Sequence, residues 1–301
     1  MDKGFRLMAA PLQGLTEAHW RCMHFRMFGA EQGDVEYFTP FIRVEKGEAR
    51  RRDLRDFTSD LNNGINVTPQ IIFRDAEEWR LLTDTLIEAG ATRIDMNLGC
   101  PFPPQVKKGR GAGLLLRKDS LDAIACAMAE YASQVTFSVK MRLGVNDPAE
   151  ALEVADIING MPLRHVTVHP RTARQQYKGE LLTDELAAFA TRVRHPVIYN
   201  GEVATPAGIA ALTSDFAGVM AGRGLLARPS LFAEFRSGRE FTEAERNAAY
   251  LDLMREMAPL LEERLCGASQ FRDKMKPYWE YAPETLDRRL VKQGRKFGMP
   301  D

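Results

Sequence analysis

The chain has 301 residues, 45% of them hydrophobic, and its 41 basic residues balance its 41 acidic ones. This size allows one large domain and a small one, while the balanced charge excludes a globally basic protein, so any nucleic-acid contact must rest on local basic clusters. The N-terminus does not fit a signal peptide, and no apolar run reaches the roughly 20 residues of a membrane span. With four cysteines and no C-x-x-C pair, we expect a reducing, cytoplasmic compartment and no membrane partner.

Eight short β-rich runs alternate with helical stretches along most of the chain. The predicted strands are residues 5–10, 35–39, 67–73, 93–98, 135–141, 165–169, 196–200 and 217–221. Helix start signals lie between them, namely Asp75 with Glu78, Asp147-Pro148 and Thr205-Pro206. This alternation predicts an α/β fold, a (β/α)8 TIM barrel, with a doubly wound open sheet as the main alternative.

Unusual polar residues fall at the C-terminal ends of six of these runs, or just beyond them. They are Gln70, Asp95 with Asn97, Lys140 with Arg142, His169 with Arg171, Asn200-Gly201 and Gly222-Arg223. Because a TIM barrel builds its active site at this rim, the distribution favours the barrel over the open sheet.

The pattern changes after residue 238, beyond which no strand is predicted. Thr242 and Glu245 form a capping box before a helical stretch over 243–265, and two further helical segments follow near 268–280 and 284–296. We therefore predict a catalytic barrel domain over residues 1–238 and a small all-helical domain over residues 239–301.

The segment DMNLGCP, residues 95–101, carries the strongest chemical signal. Alternation along a strand places Asp95 and Asn97 inside the barrel and Met96 towards the helices, with Cys100 in the loop above the barrel mouth. A thiol with an ordinary pKa of about 8.5 is protonated at neutral pH and suits a general acid. The alternative is a small buried packing residue, as most free cysteines are.

Lys140 and Arg142 lie two residues apart and share one face of a strand. Two cations at a barrel mouth require an anionic or electron-rich partner, because burying them alone is costly. A reduced flavin is such a partner. His169, at the end of the next strand, could contribute to the same edge or be a satisfied core histidine.

Glycine-containing turns end the last two strands. Asn200-Gly201-Glu202 follows the seventh strand and Gly222-Arg223-Gly224 follows the eighth. Barrels commonly bind phosphate in these two loops, where glycines let backbone N–H groups approach closely. Arg223 can add a charge-assisted contact.

Taken together, these residues resemble the dihydrouridine synthase family. The matching segments, in family order, are AAPLQGLTEAHWR (9–21), Gln70, DMNLGCP (95–101), VKMRLG (139–144), VHPRTARQQYKGE (168–180), YNGE (199–202) and GVMAGRG (218–224). The shorter RDKMKPYWEY (272–281) is similar to part of the family's helical tRNA-binding domain. Leu12, Glu17 and Trp20 depart from the family's usual pattern, as does the loop 101–113, which should lie over the substrate and whose divergence bears on the choice of uridine.

The resemblance implies an FMN-dependent oxidoreductase that reduces specific uridines in tRNA to 5,6-dihydrouridine. It implies hydride transfer from flavin N5 to uracil C6, a proton from Cys100 to C5, and NADPH as a transient electron donor. The implied FMN contacts are Ala10, Pro11, Gln70, Lys140, His169, Asn200, Gly201, Glu202, Gly222 and Arg223. The implied substrate or RNA contacts are Asn97, Arg142, Arg171 and Lys274, and no metal is expected.

Three basic clusters are candidate RNA contacts, although the first and third are equally typical of solvated surfaces. They are Arg43, Lys46, Arg50, Arg51, Arg52 and Arg55; Lys107, Lys108 and Arg110; and Arg288, Arg289, Lys292, Arg295 and Lys296. The nearest alternative function is that of an FMN barrel oxidoreductase acting on a small molecule, similar to a dihydroorotate dehydrogenase. An RNA-binding protein without activity and a metal-dependent barrel hydrolase are weaker alternatives. We expect a monomer, because no extended apolar face is left over.

Overall fold

The structure, a computed structural model, describes residues 4–29 and 35–300. Seven of the eight predicted strands are present in it as single strands, and the eighth, predicted over 67–73, is present as two short strands. Within these residues the strands are β1 (Arg6–Ala9), β2 (Val35–Phe38), β3 (Ile42–Glu45), β4 (Glu48–Ala49), β5 (Val67–Thr68), β6 (Gln70–Ile72), β7 (Arg93–Leu98), β8 (Thr136–Gly144), β9 (Leu163–Thr172), β10 (Val197–Tyr199) and β11 (Gly218–Ala221).

The parallel strands form a closed barrel. β1 pairs with both β2 and β11, and β7 to β11 pair in chain order. The predicted strand 67–73 is split at Pro69, which has no N–H to donate: β5 pairs with β2, and β6 pairs with β7. The stretch that contains β5 and β6 therefore lies between β2 and β7 and completes a ring of eight parallel strands. The TIM-barrel prediction is therefore confirmed and the open-sheet alternative is wrong.

A hairpin that the sequence analysis missed extends the barrel wall. β3 pairs in parallel with β6 and antiparallel with β4. Lys46 (φ 54°) and Gly47 (φ 82°) form the two-residue turn, and the left-handed backbone at both positions matches the twist of a tight hairpin. The Lys46-Gly47 pair between two β-rich stretches was the available signal.

Helices surround the barrel and continue beyond it. They are α1 (Ala18–His24), α2 (Arg51–Phe57), α3 (Ala76–Glu88), α4 (Pro103–Lys107), α5 (Lys118–Met128), α6 (Ala149–Glu153), α7 (Ala155–Gly160), α8 (Thr183–Arg192), α9 (Pro206–Ala210), α10 (Arg223–Ala227), α11 (Leu231–Ser237), α12 (Glu243–Glu262), α13 (Ala268–Trp279) and α14 (Arg288–Phe297). Across residues 4–29 and 35–300, none of them is both long enough and apolar enough to span a bilayer.

The predicted helix caps are confirmed at three positions. Asp75 accepts from the Glu78 amide at 2.9 Å, and Thr205 caps α9 in the same way. Thr242 and Glu245 form the predicted capping box of α12. A side-chain acceptor at each site satisfies a backbone donor that the first helical turn leaves unpaired.

One predicted helix start differs by a single residue and another is wrong. The Asp147 side chain accepts from the Ala149 amide at 2.9 Å, as a capping side chain does, and α6 is bounded at Ala149, one residue after the predicted start at Pro148. The last helix begins at Arg288, not near 284, because the Asp287 side chain accepts from the Arg289 amide at 2.7 Å and caps α14 there.

The alternation predicted for β7 is confirmed by its contacts. Met96 is buried against α3, where its sulfur accepts from Trp79 Nε1 at 3.2 Å. Asp95 is fully buried on the opposite face and accepts from Ser138 of β8 inside the barrel. The strand therefore separates an apolar outer layer from a polar interior that leads to the rim.

The C-terminal helices pack against α1 and the loop before it. Lys274 of α13 forms a 2.7 Å ion pair with Glu17. Tyr278 donates to the Leu15 carbonyl and lies 3.0 Å from His19 Nε2. Because the tyrosine proton goes to the carbonyl, His19 donates to the tyrosine oxygen. These contacts join α13 to the loop that follows β1 at the barrel rim.

Buried histidines give the fold a predictable response to acid. Burial lowers the pKa of His24 and of His165 to about 3, whereas an unfolded histidine titrates near 6.5. Below that pH the unfolded state binds protons that the folded state does not, so stability falls as pH falls. We expect these two residues to lower the free energy of unfolding by about 3 kcal/mol between pH 7.5 and 5.5, measured by urea denaturation.

The matched variants are His24→Gln and, as a control, the half-buried His195→Gln. His24→Gln should remove the contribution of one histidine, about 1.4 kcal/mol over this pH range, and His195→Gln should retain the full acid sensitivity. Asp95, whose pKa burial raises to about 6, acts in the opposite direction below pH 6. Equal pH slopes for wild type and His24→Gln would contradict the assignment.

Candidate active site

A cavity of about 680 Å³ lies at the C-terminal rim of the barrel. This volume is typical of a small-molecule or cofactor site. Most of the predicted site residues line it, namely Ala10, Pro11, Asn97, Cys100, Lys140, Arg142, His169, Asn200, Gly201, Glu202, Gly222 and Arg223. The rim location and the convergence of these side chains agree with the sequence analysis.

Three predicted site residues do not line the cavity. Gln70 is fully buried and hydrogen-bonded to Asp95 and Asn97. Arg171 is buried and donates to the Gly179 carbonyl and to Glu202. Lys274 is engaged by the Gly14 carbonyl and Glu17. In this structure these three side chains support the walls of the site.

Cys100 is held at the cavity by its backbone and is half-buried. Its amide donates to Asn97 Oδ1 at 2.8 Å, and the Gly99 amide donates to the same oxygen at 3.1 Å. Gly111 has φ +57°, and a Cβ there would lie 2.8 Å from Cys100 Cβ, so only glycine fits against the cysteine. The loop therefore presents the thiol in one place.

Burial raises the pKa of the Cys100 thiol. The Phe102 amide and the cations Arg142 and Lys140 favour the thiolate, but their combined effect is smaller than that of burial. The thiol is therefore protonated at neutral pH. A protonated, partly accessible thiol is suited to donate a proton and poorly suited to act as a nucleophile.

Lys140 places a half-buried cation in the same cavity. Burial, followed by repulsion from Arg142, lowers its pKa to about 8. Among the residues described, none forms a hydrogen bond or ion pair with its ammonium group. A partly desolvated cation without an ion pair is unfavourable, so the side chain is poised for an anionic or electron-rich ligand.

Arg142 connects two rim loops. Its guanidinium donates to the Gly99 carbonyl at 3.0 Å, to the Thr172 carbonyl at 3.0 Å and to the Gln176 carbonyl at 2.6 Å. Its Cζ atom also lies 5.2 Å from the centre of the Tyr177 ring. The residue thus joins the cysteine loop to the loop after β9.

His169 is neutral. Burial and then the nearby cations, first among them Arg142 and Lys140, lower its pKa to about 2. Arg171 lies 3.4 Å from Nε2, and since arginine only donates, Nε2 accepts and the ring proton sits on Nδ1. His169 can therefore donate a hydrogen bond to a ligand from Nδ1, but it cannot act as a cationic acid.

The loops after β10 and β11 form the opposite end of the cavity. Asn200 is held by its side-chain amide, which donates to the Met220 carbonyl at 2.7 Å. A Cβ on Gly224 would lie 1.9 Å from the Val203 carbonyl oxygen, so the two loops touch through backbone. Arg223 is at the cavity, 4.9 Å from the Tyr177 ring. This cationic, glycine-lined end has the character of a phosphate site.

Aromatic side chains at the mouth were not assigned roles from sequence. Phe41, Phe102, Tyr177 and Tyr281 line the cavity, and Phe102 and Tyr177 are exposed. Tyr177 lies within VHPRTARQQYKGE, and its aromatic character next to several cations was the available signal. Tyr281 comes from the segment after α13, so the C-terminal region contributes to the wall.

No group of three or more histidine, cysteine or carboxylate side chains that could hold a metal ion occurs within residues 4–29 and 35–300.

The fold and site define a (β/α)8-barrel protein with a protonated thiol and, among the residues described, three cations without an ion pair around one rim cavity. A family model described as dihydrouridine synthase (Dus) matches residues 8–295, and the chain belongs to that family. The family assignment made from the motifs is thereby confirmed.

Two curated relatives illustrate the similarity. The chain is 30% identical over 235 residues to tRNA-dihydrouridine synthase B of Escherichia coli K12, covering 77% of this chain and 71% of the relative. It is 28% identical over 242 residues to tRNA-dihydrouridine(16) synthase of Neisseria meningitidis serogroup B, again covering 77% and 71%.

Among solved structures, morphinone reductase superposes with a TM-score of 0.54 at 11% identity, covering 79% of this chain and 87% of the other. At that identity the likeness concerns the fold alone.

Proposed function

We propose that this protein reduces the C5=C6 bond of uridines in tRNA to give 5,6-dihydrouridine, with FMN as bound cofactor and NADPH as electron donor. Family membership and the names of the tRNA-modifying relatives support the reaction and the substrate. The observation that carries the proposal is the presence in one cavity of a protonated thiol, Cys100, and a half-buried cation without an ion pair among the residues described, Lys140.

The residues present fit FMN. Lys140 and the Nδ1–H of His169 would face the electron-rich edge of the ring system, and Gly222, Arg223 and the Asn200 loop would hold the phosphate. When bound, FMN would supply the hydride that adds to uracil C6. NADPH would enter the same site transiently, since the G-x-G-x-x-A match at residues 222–227 follows the last barrel strand and belongs to no βαβ dinucleotide-binding unit among the residues described.

Cys100 would complete the reduction. The uracil C5=C6 bond is conjugated to the C4 carbonyl, so hydride addition at C6 places negative charge towards C5 and O4. The Cys100 S–H bond would then break, with the proton forming the new C5–H bond and the electron pair staying on sulfur. The thiolate would regain a proton from solvent, to which the half-buried side chain has access.

Substrate uridine must leave the folded RNA to reach a barrel mouth, at a cost of a few kcal/mol. Contacts between exposed cations and phosphates would offset this cost. Exposed candidates are Arg51, Arg52 and Arg55 on α2, Lys107 and Lys108 at the end of α4, and Arg288, Arg289, Lys292, Arg295 and Lys296 on α14. Inclusion of Arg110 among them is wrong, because this side chain is buried in an ion pair with Glu78. We propose that the protein acts as a monomer.

Removing cations from α14 should weaken RNA binding in a salt-dependent way. In the variant Arg288→Gln/Arg289→Gln/Lys292→Gln, we expect the slope of log affinity against log salt to fall by roughly one for each cation that no longer binds a phosphate. Filter binding of tRNA between 50 and 300 mM salt measures the slope. The control is Arg192→Gln, which removes an exposed cation at the C-terminal end of α8. This end of α8 lies at the face of the barrel opposite the cavity, so the slope should be unchanged. A flat salt response of the wild type would contradict phosphate binding by these patches.

The proposed function is tested with the purified protein loaded with FMN. We expect tRNA from a strain lacking dihydrouridine to stimulate NADPH oxidation, and dihydrouridine to appear at defined positions when the product is mapped at single-nucleotide resolution. If a free pyrimidine such as orotate stimulates NADPH oxidation while tRNA is unchanged, the substrate is a small molecule and not tRNA. Failure to bind FMN would overturn the proposal altogether.

A further inference from the structure

A buried chain of hydrogen bonds runs from the barrel interior to the cysteine loop. Gln70 Nε2 donates to Asp95 Oδ2 at 2.7 Å. Asn97 Nδ2 donates to Gln70 Oε1 at 2.7 Å. Asn97 Oδ1 then accepts from the Cys100 amide at 2.8 Å. Asp95, Gln70 and Asn97 are buried, so water does not compete for these bonds.

The carboxylate at the start of the chain determines which way every amide points. An ionised carboxylate only accepts, whereas a side-chain amide has one accepting and one donating end. Asp95 therefore requires the NH2 of Gln70, which turns the Gln70 oxygen towards Asn97. That oxygen in turn requires the NH2 of Asn97 and leaves Asn97 Oδ1 facing the loop. Reversing one amide would place NH2 against NH2 or oxygen against oxygen. Buried donors would then be left unpaired, at a cost of about 1–3 kcal/mol each.

Groups around Asp95 are consistent with an accepting carboxylate. Ser138 donates to Asp95 Oδ1 at 2.6 Å, so two donors reach the carboxylate from two different strands. Burial raises the pKa of Asp95 to about 6, against the stabilising effects of Gln70, Ser138 and Lys140. Repulsion from the Glu36 carboxylate raises the pKa of Asp95 by a smaller amount. At neutral pH Asp95 is mainly ionised.

We infer that Asp95 is a positioning residue for the proton-donating thiol. Acting through Gln70 and Asn97, it holds the turn that presents Cys100 to the cavity, although it does not line the cavity itself. The inference deepens the proposed function and rests on it, because it assumes that the Cys100 thiol is the acid. It also explains why Gln70 is directed away from the cavity despite its place in the family motif.

The test compares Asp95→Leu with Asp95→Asn. Leucine removes both acceptors, and we expect re-oxidation of reduced flavin by tRNA to slow by roughly 10- to 100-fold, the scale of a misplaced catalytic group. Flavin reduction by NADPH should slow less than re-oxidation does, since this half-reaction does not need the thiol and depends on Asp95 only through its attraction for Lys140. Asparagine can keep its oxygen towards Gln70 while the Ser138 hydroxyl rotates to accept, and it should recover most of the loss.

A double-mutant comparison separates positioning from general damage. If Asp95 acts through Cys100, Asp95→Leu/Cys100→Ala should be no slower than Cys100→Ala alone. Multiplied losses would overturn the inference. Thr167→Val is the matched control, because Thr167 is another fully buried polar residue of the barrel strands whose hydroxyl has no partner among the residues described. It should behave as wild type.

A measurement without substrate keeps this inference separate from the proposed function. Alkylation of Cys100 by iodoacetamide in the FMN-loaded protein should change at least threefold in Asp95→Leu and remain unchanged in Thr167→Val. If wild type fails to act on tRNA, the proposed function falls, while the alkylation rates still decide the inference. If Asp95→Leu does not fold, Gln70→Met breaks the same chain one step later and should give the same result; unchanged alkylation in a folded variant would overturn the inference.

A second and independent observation concerns Phe102. This side chain is 58% exposed at the cavity mouth, two residues after Cys100. Its backbone is firmly held, because the Phe102 carbonyl accepts from the Gln105 and Val106 amides at 2.8 and 3.1 Å, and Pro103 begins α4. A large ring on a rigid loop beside an active site is a preformed apolar contact surface.

We propose that Phe102 stacks on an RNA base adjacent to the target uridine, with Lys107 and Lys108 at neighbouring phosphates. The occupant is a nucleotide because both lysines are exposed at the end of the same short helix, so that one element presents a stacking face and two cations. Stacking on an aromatic side chain contributes about 1–3 kcal/mol per base. Such a contact offsets part of the cost of extruding the uridine.

Phe102→Ala is expected to raise KM for tRNA roughly 10-fold, with flavin reduction by NADPH unchanged, and Phe102→Tyr should restore wild-type KM. Leu152→Ala is the control, since Leu152 is an exposed apolar residue, 43% accessible, that does not line the cavity. Fluorescence anisotropy with a short oligouridine measures binding without turnover and still tests the contact if tRNA proves not to be a substrate. Equal oligouridine affinity for wild type and Phe102→Ala would overturn this second proposal.

Discussion

Cys100→Ala is expected to slow uridine reduction in tRNA by about 10²- to 10⁴-fold, the usual contribution of a positioned general acid. The bound flavin should still be reduced by NADPH, because Lys140 and the phosphate end of the cavity are untouched. Stopped-flow absorbance separates the two half-reactions: reduction under anaerobic NADPH, then re-oxidation on mixing with tRNA. A defect confined to re-oxidation assigns the thiol to proton transfer.

The matched control is Cys126→Ala, which removes an exposed cysteine on α5 outside the cavity. It should leave both half-reactions unchanged. If Cys100→Ala re-oxidises with tRNA at the wild-type rate, another group supplies the proton. If both half-reactions fail together, the variant has lost its cofactor, and the effect says nothing specific about protonation.

The pH dependence of re-oxidation tests independently whether Cys100 acts as an acid or as a nucleophile. Because burial raises the pKa of Cys100, the reactive protonated thiol persists as pH rises through the ordinary thiol range near 8.5. The wild-type rate of re-oxidation should therefore hold through that range and decline only above it. A thiol acting as a nucleophile would show the opposite slope, with the rate rising with pH.

The barrel and the position of its site could be predicted from local signals. Strand side chains alternate, so the polar residues Asp95 and Asn97 between apolar neighbours had to face the barrel interior. Parallel strands end at one rim, so Lys140 and His169 had to meet near Cys100. Both positions follow from the pattern along each strand and from the rule that consecutive strands are adjacent.

Contacts between side chains on different strands could not be predicted in this way. Gln70 was interpreted as a cofactor contact, yet its amide lies below Asn97 because the closure of the barrel sets β6 beside β7 in a particular register. Arg110 was counted with Lys107 and Lys108, but the fold buries it against Glu78. Spacing along the chain does not reveal which polar group becomes the partner of another.

The C-terminal region shows the same limit. Its helices were predicted, but not that Lys274 and Tyr278 would bind the loop after β1, or that Tyr281 would reach the cavity. These contacts join residues more than 250 positions apart in the chain, as the Lys274 bond to the Gly14 carbonyl illustrates with a separation of 260. They depend on how the last helices pack against α1, which no local pattern specifies.

Lys140→Met is expected to lower FMN affinity and the rate of flavin reduction by about 10²- to 10³-fold, as does loss of a single preorganised charge-stabilising group in other active sites. The reason is that the ammonium lies at the cavity without an ion pair among the residues described, so an electron-rich ligand would be its first partner. FMN fluorescence quenching measures the affinity and anaerobic stopped flow the rate. Lys140→Arg keeps the charge and should retain most of the affinity, while Lys178→Met, at an exposed lysine of the rim loop, should have no effect.

The charge of Lys140 also predicts how FMN binding varies with pH. Its pKa is lowered to about 8, so the ammonium is present below that pH and is lost as pH rises through it. Affinity for FMN should therefore decrease between about pH 7 and 9 in wild type, and Lys140→Met should remove this decrease. A persistent decrease in Lys140→Met would assign the titration to another group, whereas its loss, together with the retained affinity of Lys140→Arg, would establish that a positive charge at this position holds the cofactor.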